Sequence, residues 1–106
     1  MATAIEARLV GDDDWIGIEE LCRDCNLSFE IMIELLQLEM AALRGAEPRE
    51  WQIPLAELPR VRIATRLMRD LGLNVSGAVL AVELLEMRRH LERRVRELEQ
   101  LVYRRE

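Results

Sequence analysis

The chain contains no lysine: all 15 of its basic residues are arginine, set against 20 acids and one histidine in 106 residues. It is also poor in aromatics (4%), glycine (five), proline (three) and cysteine (two). So few aromatics and turn formers exclude a sandwich or barrel, which needs a turn signal roughly every ten residues and many aromatic or β-branched positions. A single histidine, His90, leaves a serine-type triad one possible base, and no motif sets a nucleophile beside it. Cys22 and Cys25 form a lone CxxC without the second pair or the histidines that a zinc site requires, and without the βαβ context of a redox pair. They are expected to pack on a helix as small apolar residues, in a reducing compartment. Glycine-rich phosphate loops are absent, and no apolar run approaches the ~18 residues of a membrane helix. The first ten residues carry Glu6 and Arg8 and no apolar block, so no secretory signal is expected there. The expectation is a cytoplasmic protein that is not an enzyme, with no metal and no cofactor.

What is present is helix-forming: Leu, Met, Ala, Glu and Arg dominate. Ala2 to Val10 alternates and predicts a short edge strand, followed by a turn at Gly11 to Asp14. Ile18, Leu21, Cys22 and Cys25 follow the spacing of one helix face. After the interruption at Asn26 and Leu27, Ser28 is suited to cap a second helix carrying Ile31, Met32, Leu35, Leu36 and Leu38, with Gly45 as its stop. Two short helices across a tight turn make a helix-turn-helix. Trp51-Gln52-Ile53 predicts a second strand, paired with the one at Ala2 to Val10 to form a small wing. Pro54 and Pro59 bracket the start of a third helix through Val61, Ala64, Leu67 and Leu71, which Gly72 can end in the left-handed conformation.

From Ser76 to about Arg104 there is no proline, and Gly77 falls in the first turn, predicting roughly 40 Å of helix. Leu84, Leu91 and Leu98 recur at seven, as do Arg88, Val95 and Val102, which reads as a heptad seam with Arg88 as its one polar member. The seam predicts dimerisation through Leu84, Leu91, Val95, Leu98 and Val102, self-pairing being the simplest source of a partner helix. Arg94 and Glu99 stand at g and e, a spacing that suits parallel pairing. The predicted organisation is a winged helix-turn-helix domain over residues 1–74 and a coiled-coil helix over 75–106.

Charge is unevenly placed. Residues 1–40 carry ten acids and two arginines, a net of −8, whereas 41–106 carry ten acids and thirteen arginines, a net of +3. DNA reading requires donors on the second helix. This one offers Glu30, Glu34 and Glu39 and no arginine, so a basic protein partner is expected in place of a duplex. The candidate contacts are Asp12, Asp13, Asp14, Glu19, Glu20, Asp24, Glu30 and Glu34. The alternative is a DNA-binding regulator that uses Arg49, Arg60, Arg62, Arg66 and Arg69, of which 62, 66 and 69 share a helix face.

The order helix-turn-helix, wing, third helix and long helix resembles the MerR-type winged helix, within which the chain most resembles the CbpM group of chaperone modulators. The resemblance rests on Glu19-Glu20-Leu21-Cys22, Leu27-Ser28, Glu47-Pro48-Arg49-Glu50-Trp51, the run from Arg62 to Asn74, and the run from Gly77 to Leu85. It implies a mainly α fold with a two-stranded wing and a dimerising C-terminal helix, paired antiparallel as in MerR proteins. It also implies a regulator that binds the J-domain of a DnaJ-like co-chaperone of the CbpA type and restrains its stimulation of DnaK. J-domains present a basic helix to DnaK, for which an acidic surface could compete.

Overall fold

A computed structural model describes residues 14–105. The strand expected over Ala2 to Val10, most of the following turn, and the candidates Asp12 and Asp13 lie outside the described residues. The described elements are β1 (Trp15–Gly17), α1 (Ile18–Cys25), α2 (Phe29–Gln37), β2 (Gln52–Pro54), α3 (Leu58–Leu71) and α4 (Val75–Arg105), with single 3₁₀ turns at Pro48–Glu50 and Leu55–Glu57.

The turn between α1 and α2 follows from its residues. Asn26 closes α1 in the left-handed conformation (φ 55°), which asparagine tolerates better than most side chains. Ser28 Oγ accepts the Ile31 N–H at 3.2 Å and so satisfies one of the orphan donors that open α2. Ile18, Leu21 and Cys25 of α1 and Met32, Leu35 and Leu36 of α2 then face a common core, with Val61 and Ala64 of α3 below them.

The wing differs from the sequence expectation in its partner strand. β2 pairs antiparallel with Trp15–Gly17, placing Ile16 opposite Ile53. Both isoleucines are buried, and burial of this facing pair fixes the register. Arg44 extends the edge through two backbone hydrogen bonds with Gln52 and lies 4.1 Å over the Trp15 ring. Gly45 opens the connecting loop at φ +121°, where a Cβ would lie 2.5 Å from the Glu50 carbonyl oxygen. Gly45 therefore serves the wing and does not end α2.

Helix α2 stops at Gln37, earlier than its apolar spacing suggests, and Glu39 adopts φ 59°. The physical reason lies in the residues that follow. Met40 is fully buried, so the chain must turn inward there. The Arg60 guanidinium donates to the carbonyls of Met40 and Glu39, and the Glu57 carboxylate accepts the Ala42 N–H at 2.7 Å. Two side chains from the start of α3 thus hold the exit of α2 in place.

Pro59 lies in the first turn of α3, and Gly72 ends that helix at φ 66°. Asn74 Oδ1 accepts the Gly77 N–H at 2.7 Å and caps α4. At 1.5 Å per residue, α4 is about 45 Å long. Its first turns join the core through Val75, Ala78, Val79 and Val82, and every residue from Glu83 to Arg104 is exposed. The molecule is correspondingly elongated, 57 Å along its longest axis.

Candidate functional site

The acidic candidates divide by what surrounds them. Glu19 on α1 and Glu30 and Glu34 on α2 are exposed. Glu19 and Glu30 converge on Cys22, whose thiol is pushed up chiefly by burial and then by these two carboxylates. Glu34 follows Glu30 by one turn of α2. The turn at Asn26 to Ser28 therefore brings acids from both helices of the helix-turn-helix to one outer face.

Asp14 and Glu20 are half-buried and engaged in contacts within the fold. Asp24 is committed further. Its side chain is 2% exposed and is held by Arg62 of α3 through two bonds of 2.8 Å. A buried charge of this kind is stable only when paired and hydrogen-bonded. Asp24 was a contact candidate from sequence, but its carboxylate faces α3.

The arginines considered for DNA are similarly occupied. Arg60 forks onto the Glu86 carboxylate at 2.8 and 3.0 Å, which raises its pKa, while also holding the exit of α2. Arg69 donates to the Cys25 carbonyl at 3.2 Å, a cation at the C-terminal end of α1. Arg49 lies 5.7 Å over the Phe29 ring. Of the stripe at 62, 66 and 69, the exposed Arg66 is left without such a tie. These bonds were invisible in sequence, because residues 38 and 26 positions apart form them.

The two cysteines are free thiols. Cys25 is buried, and burial with the neighbouring Asp24 pushes its pKa up to about 11, which keeps it protonated and inert at neutral pH. Among the described residues, no group of His, Cys, Asp and Glu could hold a metal ion. No helix among them is long and apolar enough to cross a membrane.

Along α4, the seam residues Leu84, Leu91, Val95, Leu98 and Val102 are all exposed. Leu80, Met87 and Leu101 are exposed as well, and the heptad reading had missed them. The signal was available: Leu80 and Met87 stand four before and three after Leu84, on the same side of the helix. Arg88 bonds to Glu92 at 2.9 Å on the flank.

Residues 16–100 match the MerR HTH family of regulatory proteins. The chain is also 36% identical over 84 residues to the chaperone modulatory protein CbpM of Coxiella burnetii strain Dugway 5J108-111, covering 79% of each chain. The proteins of the same name in strains RSA 331 / Henzerling II and CbuG_Q212 give the same identity and coverage. The helix-turn-helix, the two-stranded wing and the long terminal helix of this chain thus go with a matching sequence, and the chain belongs to the MerR helix-turn-helix family and, within it, to the CbpM chaperone modulatory proteins.

Proposed function

We propose that the protein is a chaperone modulator that binds the J-domain of a DnaJ-like co-chaperone of the CbpA type and restrains its stimulation of a DnaK-type chaperone. The observation that carries this reading is the exposed acidic face formed by Glu19, Glu30 and Glu34 on the two helices of a helix-turn-helix. On that face a duplex would be repelled and a basic helix attracted. Asp12 and Asp13 stay candidates from sequence; Asp24 is withdrawn from the contact set because Arg62 holds it. Charge sets the encounter rate and specificity, and the half-buried Phe29 and Ile33 beside the acids supply apolar contact. The long α4, apolar and exposed along one side, pairs with a second copy of the chain, so that the working unit is a dimer.

DNA binding fits less well, because Arg60, Arg62 and Arg69 are bonded within the fold. Titration calorimetry with an isolated J-domain tests the reading: binding in the micromolar range or tighter that weakens as salt rises is expected. Absence of binding would refute the partner, and binding indifferent to salt would refute the acidic face as its basis.

A further inference from the structure

The side of α4 that packs on its own domain changes character where the domain ends. Val75, Ala78, Val79 and Val82 are buried there. At about 100° per residue, Arg89, Arg93, Arg96, Gln100, Tyr103 and Arg104 continue the same side within about 50° of one line, and all six are exposed. The apolar seam through Leu84, Leu91, Val95, Leu98 and Val102 lies on the opposite side, so a helix covered along its seam keeps this side in water. Two acids border the stripe, and both are engaged elsewhere: Glu86 by Arg60 and Glu92 by Arg88. Glu97 and Glu99 stand about 70° to 90° off the line. Among the described residues, Arg89, Arg93, Arg96 and Arg104 have no ion-pair partner.

Residues 88–104 hold six arginines and three glutamates, a net of +3 in a chain whose net charge is −5. The stripe runs from about 10 to 33 Å beyond Val82, the last buried residue of α4. That exceeds the ~8 Å over which charges act in physiological salt, so the acids of the helix-turn-helix do not cancel it. Guanidinium groups hold phosphate oxygens through paired N–H donors. Tyr103, 75% exposed, offers a ring on which an unpaired base can stack. No apolar side chain stands on the stripe between Arg89 and Gln100, so it lacks the contact that a protein partner or insertion into a membrane surface requires. We propose that this side of α4 binds single-stranded nucleic acid, with Arg89, Arg93 and Arg96 holding phosphates and Tyr103 stacking on a base. The surface is separate from the acidic face of the helix-turn-helix, and the inference does not rest on the J-domain reading.

Fluorescence anisotropy of a labelled oligothymidylate titrated with the full chain tests it. Binding in the micromolar range that weakens steeply with salt is expected. Arg89→Gln with Arg93→Gln and Arg96→Gln keeps good helix formers in an exposed helix. This triple variant is expected to lose affinity by at least about tenfold and to lower the logarithmic salt slope by about 2, at roughly 0.7 per phosphate contact removed. Tyr103→Ala is expected to weaken binding by at least about fivefold and to leave the slope unchanged. Arg23→Gln with Arg49→Gln and Arg66→Gln removes the same charge from exposed positions of the domain and is expected to bind like the unmodified chain. Absence of binding would refute the proposal, and an equal loss in this second triple variant would overturn it in favour of the helix-turn-helix arginines. Tighter binding of a duplex than of the single strand would overturn the stacked mode, and binding of phosphatidylserine vesicles without binding of the oligonucleotide would overturn it in favour of a membrane surface. The α4 triple variant is expected to bind a J-domain as the unmodified chain does, which separates failure here from failure of the J-domain reading.

Discussion

The Arg62 guanidinium holds the Asp24 carboxylate through two bonds of 2.8 Å, Nε to Oδ2 and Nη2 to Oδ1, joining the end of α1 to α3. The pair is unequally buried: the aspartate side chain is 2% exposed and the arginine 23%. That asymmetry sets what each substitution does. Arg62→Ala leaves a buried carboxylate unpaired and is expected to cost about 3–5 kcal/mol. Asp24→Asn leaves a guanidinium that can still reach water and is expected to cost less. Chemical denaturation of the two single variants and the double variant checks this; the double should be more stable than the sum of the singles implies.

Ser28 makes the cap on which the direction of α2 depends. Ser28→Ala removes the acceptor for the Ile31 N–H and is expected to cost about 1 kcal/mol, whereas Ser28→Asp keeps an acceptor and stays within a few tenths. Thermal melts of the three proteins distinguish the cap from a general effect of substitution at the turn.

Cys25 makes stability fall in alkali. Its thiol titrates near 9.0 when exposed and at about 11 in the fold, because burial and Asp24 disfavour the thiolate. A folded pKa raised above the unfolded one contributes stability that is fully present below pH 9 and is lost as pH rises through 11. The loss is expected to be about 3 kcal/mol at most, and Cys25→Ala should abolish that slope while carrying its own packing cost. At neutral pH, alkylation should be faster at the half-exposed Cys22 than at Cys25.

Much of this fold was legible because its signals are local. Asn26, Ser28, Pro59 and Gly72 each mark a boundary through their own backbone or capping chemistry, and the structure uses each of them there. The end of α2 was not legible. No glycine or proline stands at 38–40, and the turn is held by Arg60 and Glu57, some 15 to 21 residues away. The strand partner of β2 was missed for a related reason: Trp15–Gly17 is three residues long and runs directly into α1, too short to show alternation. The candidate surface was half legible. The sign of its charge could be read from composition by position, but which acids remain outside, Glu19, Glu30 and Glu34 as against Asp24, depends on where α3 places its arginines. The apolar side of α4 was legible because its recurrence is local: Leu84, Leu91, Val95, Leu98 and Val102 stand on one side of the helix and are all exposed.

The proposed role of the acidic face of the helix-turn-helix is to withhold a J-domain from its chaperone. It is tested most directly by steady-state ATP hydrolysis of a DnaK-type chaperone stimulated by a J-domain co-chaperone, with this protein titrated in. The unmodified chain is expected to suppress the stimulated rate, and Glu30→Arg with Glu34→Arg is expected to lose that suppression by at least tenfold in concentration while retaining its helical content. Suppression by the charge-reversed protein equal to that of the unmodified one would contradict the account, as would a stimulated rate that the unmodified chain leaves unchanged.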